Sequence, residues 1–299
     1  MKIKNTKYIH FIGIGGIGTS SIAQILKKKG KIISGSDAVS SDITKTLKLA
    51  GIKIKIGHSD KNISKKHQLI IYSPAIPSKN PELKKAKKLK IRTISYPEAL
   101  GELSEDYFTI AVAGTHGKST TTAITALVAE KGNLDPTVVI GTKIKQFNNK
   151  NFRVGESKYF ILEACEYRKS FLKIKPDILI ITNIEAEHLD YYKNLQNYKK
   201  AFELLAKKVN KSGKIIINSD DKDSNVVVKS AKGKVITWSK SDKNSDFLLK
   251  KNVLKKLNKK SEQKSNNKIQ LNLKIPGKFN LNNAVFSTIT GVLLGIENK

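Results

Sequence analysis

The stretch FTIAVAGTHGKSTTT, residues 108–122, decides the fold of its part of the chain. Its first seven residues predict a buried strand, and the residues from Lys118 onward predict the helix that follows. Gly117 lies directly before that helix, where backbone N–H groups and the helix dipole favour an anion. Lys118 adds a charge for the β- and γ-phosphates, and the hydroxyl of Ser119 or Thr120 can bind Mg²⁺. We therefore predict a loop that holds the triphosphate of ATP, because a plain glycine turn would not need this lysine and these hydroxyls.

A carboxylate ends a second apolar run, YFILEA. This residue is Glu163, and the C-terminal ends of parallel strands form the functional edge of an α/β sheet. A carboxylate is a hard, anionic ligand of the kind that Mg²⁺ requires. Glu166 has two open interpretations, a solvated charge or an ion-pair partner of Arg168. We therefore place Glu163 at a predicted magnesium site and leave Glu166 outside it.

Four polar residues lie at and just past the end of the next apolar run, DILIITNI. They are Asn183, Glu187, His188 and Asp190, and they lie toward the same edge of the predicted sheet. A lone histidine is more often structural, but this one stands among several polar groups at a functional edge. We therefore predict that His188 binds a second metal ion or contacts the transferred phosphoryl group.

The N-terminal part of the chain contains the pattern Gly13-x-Gly15-x-x-Gly18 between a predicted strand and a predicted helix. Asp37 follows about twenty residues later, at the end of the second predicted strand. Taken alone, these residues suggest NAD. The same pattern marks more generally a pyrophosphate at a helix N-terminus, so a UDP-sugar would satisfy it equally well.

Short apolar runs alternate with helix-like segments along the chain. The predicted strands span residues 8–15, 31–37, 53–57, 69–77, 108–114, 159–164, 177–184 and 214–218. The predicted helices span residues 21–30, 44–51, 118–132 and 197–209, and a helix with a connector spans 98–107. This βαβ alternation predicts an α/β fold with mostly parallel, doubly wound sheets.

The length of 299 residues suits two α/β domains, and we place the boundary near residue 105. Residues 1–105 are predicted to form a Rossmann-like parallel-sheet domain. Residues 106–299 are predicted to form a P-loop-type α/β central ATPase domain. Within it, the lysine- and asparagine-rich residues 250–268 predict an exposed hairpin or a flexible low-complexity insertion.

The formal net charge of +31 suggests a nucleic-acid partner, but the distribution of charge argues against one. The lysines are spread over the whole chain, and arginine, which nucleic-acid-binding proteins favour, occurs only at Arg92, Arg153 and Arg168. No run of about 18 apolar residues predicts a membrane span, and the N-terminus has no signal-peptide pattern. The single cysteine, Cys165, fits a reducing cytoplasm. We therefore expect no nucleic-acid partner and no membrane insertion, and the oligomeric state stays open.

Together these segments resemble the Mur ligase family, and the resemblance runs over essentially the whole chain. The matching segments, in order, are HFIGIGGIGTSSIA, SGSDAVSSDITKTLKLAGIKIKIGH, YSPAIPSKNPE, AGTHGKSTTT, EACEYRKSFL, TNIEAEHLDYY and PGKFNLNNA. The glycine loop GIGGIG and the segment SDAVSSDIT look most like the members that add alanine. The resemblance implies a ligase of peptidoglycan precursor synthesis that joins L-alanine to the carboxylate of UDP-N-acetylmuramate, with ATP and Mg²⁺ and through an acyl phosphate.

The resemblance also implies a role for individual residues. The residues implied for ATP are Gly114, Thr115, His116, Gly117, Lys118, Ser119, Thr120, Asn280 and Asn283. Those implied for the UDP-sugar are Gly13, Gly15, Gly16, Gly18, Asp37, His58, Ser73 and Asn183. Lys118, Glu163 and His188 would be catalytic, with Ser119 and Glu163 on one Mg²⁺ and His188 on a second.

The chain departs from the family pattern at several points. The usual first glycine of a phosphate loop would fall at Val112, so the loop has the shorter form GTHGKS. Phe279 stands where the family usually has histidine, and Cys165 where it more often has an acidic residue. Family members carry a third, C-terminal domain that closes over ATP and helps to bind the amino acid. Because this chain stops before it, we expect UDP-sugar binding with little or no ligation by the chain alone.

Four other interpretations stay open. The first is a related ligase, such as the one that recycles murein tripeptide. The second is a fragment that binds a nucleotide or UDP-sugar without catalysis. The third is an NAD-dependent oxidoreductase, suggested by the glycine pattern and Asp37, which would leave the phosphate loop unexplained. The fourth is a nucleic-acid-binding protein, suggested by the charge alone.

Overall fold

The computed structural model of the protein describes residues 2–257 and 268–297. Most of the predicted insertion at 250–268 therefore lies outside the described residues. The chain forms two compact units. The first holds the residues up to Asp106 together with Gly141–Val154, and the second holds Tyr107–Ile140 and the chain from Gly155 onward.

The first unit contains a sheet of five parallel strands in the order β3-β2-β1-β4-β5. The strands are β1 (Tyr8–Ile12), β2 (Ile32–Asp37), β3 (Lys53–Ile56), β4 (Leu69–Tyr72) and β5 (Arg92–Ser95). The helices are α1 (Ile17–Lys28), α2 (Asp42–Leu49), α3 (Pro81–Lys88) and α4 (Tyr96–Ser104). The strand order reverses between β1 and β4, and ligands of doubly wound sheets bind in the crevice at such a point.

Local capping explains where several of these helices begin. The side chain of Ser41 accepts a hydrogen bond from the backbone N–H of Thr44, and the side chain of Thr44 accepts one from the backbone N–H of Ser41. This capping box fixes the start of α2. Asn80 caps α3, whose first residue is a proline. Helix α1 begins at Ile17, four residues before the predicted start, because Gly16 already occupies the N-cap position.

The second unit contains strands in the order β15-β14-β13-β12-β11-β10-β6-β9-β7. These are β6 (Phe108–Ala113), β7 (Thr137–Ile144), β9 (Tyr159–Glu163), β10 (Ile178–Ile181), β11 (Lys214–Asn218), β12 (Lys234–Ser239), β13 (Phe247–Lys250), β14 (Val253–Lys256) and β15 (Lys268–Gln270). Strand β8 (Lys150–Arg153) and the end of β7, from Gly141 onward, lie in the part of the chain that belongs to the first unit. In the order of the sheet, the neighbouring strands β13, β12, β11, β10, β6, β9 and β7 pair parallel. The pairs β13–β14 and β14–β15 are antiparallel.

Five helices accompany this second sheet in the described residues. They are α5 (Lys118–Lys131), α6 (Leu189–Tyr192), α7 (Leu195–Ala206), α8 (Lys222–Val227) and α9 (Lys278–Leu293). Strand β6 lies between β9 and β10, and the three strands are parallel. Their C-terminal ends therefore bring the phosphate loop, Glu163 and Asn183 to one edge of the sheet.

The predicted α/β class is confirmed, with a parallel-sheet N-terminal unit followed by a second α/β unit. The core strands are fully buried, as the apolar runs predicted: Ile110, Leu162 and Ile180 have no exposed surface. In the part of the chain that the structure describes, no helix combines the length and the hydrophobicity that a membrane span requires.

Candidate active site

The phosphate loop connects β6 to α5 through two glycines with positive φ. Gly114 has φ +137°, and a side chain there would overlap Thr182 Oγ1. Gly117, the N-cap of α5, has φ +81°, and a side chain there would crowd the amide of Asn283. The first turn of α5 itself contains no acidic residue that would repel an anion from its N-terminus. The backbone is thus built for the close approach of an anion.

Lys118 lies at the centre of this loop with its ammonium held inside it. Its Nζ donates to the carbonyl oxygens of Gly114 and Thr115, both at 2.8 Å. It also forms an ion pair with Glu166 Oε1 at 3.1 Å. The predicted phosphate-binding lysine is therefore close to the loop backbone and bound to a carboxylate that the sequence did not assign to it.

Ser119 and Glu163 meet directly. Ser119 Oγ donates to Glu163 Oε2 at 2.8 Å, across the gap between the start of α5 and the end of β9. The two side chains predicted to share one magnesium ion therefore present their oxygens side by side. Thr120, the alternative hydroxyl, is half-buried in the same first turn of α5.

Glu166 is not a solvated charge, as one of its two interpretations held. The residue is 1% exposed, and its Oε1 faces both Lys118 and His188 Nε2, the latter at 3.3 Å. Among the described residues, Glu166 Oε2 has no hydrogen-bond partner. The spacing of two glutamates in EACE, just past a buried strand, was the only signal in the sequence that could have found it.

His188 occupies the N-cap of α6 in a left-handed conformation, with φ +54°. Its ring lies 4.9 Å from that of Tyr167, and ligand atoms of His188, Glu166 and Glu187 lie within 4.8 Å of one another. His188 and Lys118 therefore both contact the same carboxylate oxygen, Oε1 of Glu166. Asp190 is exposed on the first turn of α6.

The residues after β10 brace the loop. The side-chain amide of Asn183 forms two hydrogen bonds with the backbone of His116. Asn183 Oδ1 accepts from the N–H of His116, and Asn183 Nδ2 donates to the carbonyl oxygen of His116, each at 3.0 Å. Thr182 Oγ1 donates to the same carbonyl oxygen at 2.7 Å. The structure thus places Asn183 at the phosphate loop of the second unit, whereas the sequence analysis grouped it with the UDP-sugar residues.

Thr115 and two buried tyrosines support the loop from beneath. Thr115 Oγ1 lies 3.1 Å from the hydroxyl of Tyr198, and it donates to the carbonyl oxygen of Glu185. The hydroxyl of Tyr192 donates to the carbonyl oxygen of Glu166 at 2.5 Å. Burial raises the pKa of both tyrosine hydroxyls, so they stay protonated as donors.

The two asparagines implied for ATP, Asn280 and Asn283, lie at the start of α9. Asn283 is buried, and its Oδ1 accepts from Thr121 Oγ1 of α5 at 3.1 Å. Asn280 is partly exposed, and its Nδ2 donates to the carbonyl oxygen of Pro276. Phe279, which replaces the family's usual histidine, is 84% exposed and therefore contributes nothing to the core.

In the first unit, the glycine loop and Asp37 form one structure. Gly15 N–H donates to Asp37 Oδ2 at 2.7 Å. Gly13 has φ +74° and approaches Ser73, which follows β4. A side chain at Gly18 would overlap the ring of Tyr96, so this glycine allows α1 to pack closely. Gly16 precedes α1 as its N-cap.

His58 leads to a buried polar network that the sequence analysis missed. Glu82 has no exposed surface, and its carboxylate accepts from Ser36 at 2.7 Å and Asn62 at 2.6 Å. His58 Nδ1 lies 2.8 Å from Glu82 Oε2. His10 is also buried beside this carboxylate. No sequence spacing marks the network, because each member comes from a different element.

The donor set in the second unit fits both Mg²⁺ and a nucleotide. Hydroxyl and carboxylate oxygens are the ligands that Mg²⁺ prefers, and Ser119 and Glu163 supply one of each. The buried Oε2 of Glu166, which has no hydrogen-bond partner among the described residues, is a further oxygen available to a cation. At Gly114 and Gly117, Thr182 and Asn283 leave no room for a side chain, so both positions keep the positive-φ glycine backbone that a phosphate-binding loop uses.

Comparison with known proteins gives the same result for both parts of the chain. Residues 8–108 match the model described as the Mur ligase family, catalytic domain. Residues 112–291 match the model described as the Mur ligase middle domain. The family resemblance inferred from the sequence motifs is therefore confirmed.

Individual relatives extend this result. The UDP-N-acetylmuramate–L-alanine ligase of Clostridium botulinum is 43% identical over the whole of this chain, which spans 65% of that relative's length. The UDP-N-acetylmuramate-alanine ligase of Thermotoga maritima matches 96% of this chain and 65% of its own, with a TM-score of 0.76 and 27% identity. A murein peptide ligase of Psychrobacter arcticus matches 98% of this chain and 66% of its own, with a TM-score of 0.85 but 22% identity, and shows the fold alone.

The phosphate loop, the hydroxyl and carboxylate beside it, and the glycine loop of the first unit all fall inside the two matched regions. The second match alone covers more than half of the 299 residues. This protein belongs to the Mur ligase family.

Proposed function

We propose that this chain supplies the nucleotide and UDP-sugar sites for ATP-dependent ligation of L-alanine to the carboxylate of UDP-N-acetylmuramate. The observation that carries the proposal is the convergence of Lys118, Ser119 and Glu163 on a helix N-terminus at the edge of a parallel sheet. Mur ligases are ATP-dependent, and this arrangement suits the phosphates of ATP.

Within this proposal, the protein mainly positions reactants and offsets charge. The carboxylate of the sugar attacks the γ-phosphate, ADP leaves, and the amine of alanine then displaces phosphate from the acyl phosphate. Lys118 would move from the loop carbonyls to the β- and γ-phosphates, where its charge offsets theirs. Ser119 and Glu163 would hold one Mg²⁺ and His188 a second, and bound Mg²⁺ supplies charge neutralisation at the transferring group.

The first unit would hold the UDP-sugar at the crevice between β1 and β4. The residues implied for the sugar in this unit lie at or just past the C-terminal ends of its strands, or at the start of its first helix. They are Gly13, Gly15, Gly16, Gly18, Asp37, His58 and Ser73. The diphosphate would lie at the glycine loop, because this loop leads into the N-terminus of α1, where backbone N–H groups and the helix dipole favour an anion. Asn183 would act indirectly, through the phosphate loop that it braces.

Alanine is preferred as the amino acid because the sequence similarity favours it. The botulinum relative, which is 43% identical, is named for L-alanine, whereas the murein peptide ligase is only 22% identical despite its similar fold. A murein-peptide ligase is therefore the second candidate. The two differ in the amine that is joined and not in the ATP site.

Calorimetry separates the proposed function from an NAD-dependent oxidoreductase. UDP-N-acetylmuramate is titrated into the chain in parallel with NAD, and then a non-hydrolysable ATP analogue with Mg²⁺. We expect one site each for the UDP-sugar and the ATP analogue, with NAD at least tenfold weaker than the UDP-sugar. Preferential binding of NAD would reject the proposal.

Phosphate release tests the reaction itself. Under the proposed function, release should require UDP-N-acetylmuramate, L-alanine, ATP and Mg²⁺ together. Release that requires a murein tripeptide in place of L-alanine would favour the second candidate.

A further inference from the structure

Lys118 is fully occupied in this structure by partners inside the protein. An ammonium has three N–H donors, and three acceptors lie within 3.1 Å of Nζ: two carbonyl oxygens of the loop and Glu166 Oε1. A lysine in this state cannot also bind phosphate oxygens. Entry of ATP therefore requires Lys118 to give up at least part of this set, and the phosphate is a stronger acceptor than a neutral carbonyl.

Glu166 cannot lose Lys118 without a replacement. It is a carboxylate with 1% exposure, and removing one partner of a buried ion pair leaves a charge that burial strongly disfavours. Its Oε2 has no partner among the described residues even now. The remaining contact, His188 Nε2 at 3.3 Å, supplies a full positive charge only if the imidazole is protonated.

A second carboxylate faces the same point. Glu187 lies next to His188 in sequence, and its Oε2 is also buried without a hydrogen-bond partner in the described part of the chain. One ligand atom from each of Glu166, Glu187 and His188 fits within 4.8 Å. Two carboxylates and an imidazole at this spacing form a donor set for a divalent cation, and their negative charge needs one once Lys118 has moved.

We propose that Glu166 exchanges partners during nucleotide binding. It holds the Lys118 ammonium while the loop is empty, and it passes to a second divalent cation, shared with Glu187 and His188, when the phosphates of ATP take up Lys118. Glu166 is a positioning residue in the first state and a cation ligand in the second. This inference rests on the proposed function, and it adds Glu166 and Glu187 to the residues that serve the transferring phosphate.

The exchange has a thermodynamic signature. Because ATP frees the carboxylate that the cation needs, nucleotide and second cation should each raise the affinity of the other by the same factor. Because Glu166 competes with phosphate for Lys118, removing its charge should strengthen nucleotide binding when no divalent cation is present. A purely structural ion pair would leave the number of bound divalent cations unchanged when Glu166 loses its charge.

The test counts bound Mn²⁺ by electron paramagnetic resonance in the presence of a non-hydrolysable ATP analogue, and measures cation-free analogue binding by calorimetry. The unchanged protein should bind two Mn²⁺, of which one is lost or weakened at least tenfold in both Glu166→Gln and Glu187→Gln. Only Glu166→Gln should bind the analogue more tightly without cation, by about threefold or more. Glu203→Gln is the control, because Glu203 lies on α7, where its carboxylate contacts Lys207 and Ser230, and this change should alter neither value.

Different outcomes reject different claims. If the unchanged protein binds no analogue, the proposed function itself is wrong. If it binds the analogue but Glu166→Gln and Glu187→Gln both keep two Mn²⁺ of unchanged affinity, the second-cation site is wrong. If Glu166→Gln loses cation-free analogue affinity as well, Glu166 supports the loop instead of competing for Lys118, and the exchange is wrong. Thermal unfolding of each variant shows whether it is folded, and Glu187→Gln still tests the cation site if Glu166→Gln is not.

Discussion

At the scale of single residues, the phosphate loop depends on backbone conformations that side chains exclude. Gly114 combines φ +137° with a direct approach to Thr182, whereas Gly30, at the end of α1, has φ +79° and open space around it. Both glycines avoid the strain of a positive φ, but only Gly114 also avoids a steric overlap. Alanine substitutions at these two glycines therefore separate the cost of backbone strain from the cost of steric crowding.

Gly114→Ala should abolish nucleotide binding and lower the free energy of unfolding by several kcal/mol, because the new methyl group must displace Thr182 and with it the loop. Gly30→Ala should cost about 1 kcal/mol, from the backbone strain alone. Urea unfolding followed by tryptophan fluorescence and calorimetry with an ATP analogue measure both effects. Equal losses of stability for the two variants would show that the contact with Thr182 is unimportant.

His10 is a residue whose charge state links stability to pH. Burial, with smaller contributions from His67 and His58, lowers the pKa of His10 from 6.5 to about 3. Because the folded state holds this imidazole neutral while the unfolded state takes up a proton below pH 6.5, stability is full above pH 6.5 and falls as the pH drops toward 3.

As the pH falls from 6.5 to 5, protonation of His10 in the unfolded state should lower the free energy of unfolding by about 1.5 kcal/mol. His10→Asn keeps a donor or acceptor near Ser34, which His10 Nδ1 contacts at 2.9 Å, and removes the titration. Urea unfolding at pH 7.5, 6.5 and 5 should therefore give a shallower loss for His10→Asn. Parallel pH profiles for the two proteins would contradict the buried neutral imidazole.

At the scale of secondary-structure elements, α5 and α9 are joined by polar contacts inside the core. Thr121 donates to Asn283 Oδ1, and Thr125 Oγ1 lies 2.9 Å from Ser287 Oγ, with all four residues buried. These contacts fix α9 against the helix that carries the phosphate loop. A buried hydrogen bond between helices also sets their register more strictly than apolar contacts do.

Asn283→Ala should lower the free energy of unfolding by about 1–3 kcal/mol, because the buried hydroxyl of Thr121 loses its acceptor. It should also weaken binding of an ATP analogue, since Asn283 lies against Gly117. Asn282→Ala is the matched control: the neighbouring amide oxygen is buried but has no partner in the described residues. Denaturant unfolding and calorimetry compare the two. A larger loss in Asn282→Ala would contradict the account of the α5–α9 contact.

Most elements with strong apolar runs were predicted, but strands β7 and β12 were not, although both contain buried apolar residues. Strands β1, β6, β9, β10 and β11 and helix α5 were predicted close to their observed bounds. Strand β5 and helix α3 were not, because they are partly exposed and polar, and their positions depend on contacts with the rest of the sheet. Strand β14 lies in residues 250–268, for which an exposed hairpin or an insertion was predicted, and it pairs antiparallel with β13, which ends at Lys250.

The candidate site was predictable wherever one residue type in one local pattern was enough. Lys118 and Ser119 follow from the loop, and Glu163 from its place at the end of a strand. Glu166 was missed because its burial depends on Lys118 and His188, which come from two other elements. The two hydrogen bonds between the Asn183 amide and the backbone of His116 were not predictable, because sequence spacing does not show which groups meet in space.

At the scale of the whole molecule, the charge of +31 is the dominant property. Exposed lysines repel one another in the folded protein more than in the expanded unfolded chain, so this charge works against the compact state. The same field attracts anionic substrates toward the loops. Both effects act over a Debye length and therefore depend on salt.

Raising NaCl from 10 to 200 mM should raise the midpoint of thermal unfolding by a few degrees, because salt screens the repulsion. Any attraction to DNA should disappear over the same range without sequence preference. Differential scanning calorimetry and a gel shift measure the two effects. A salt-resistant complex with one DNA sequence would revive the nucleic-acid interpretation, and a midpoint that falls with salt would show that net repulsion is not dominant.

The central claim is that the loop from Gly114 to Thr120 binds the phosphates of ATP through Lys118. Titration calorimetry of a non-hydrolysable ATP analogue with Mg²⁺ into the unchanged chain and into Lys118→Met tests it most directly, with thermal unfolding as the check on folding. We predict one site per chain and an affinity about 10- to 100-fold weaker in the folded variant, the loss expected for charge-assisted contacts. An unchanged affinity in Lys118→Met, or no binding by the unchanged chain, would contradict the claim.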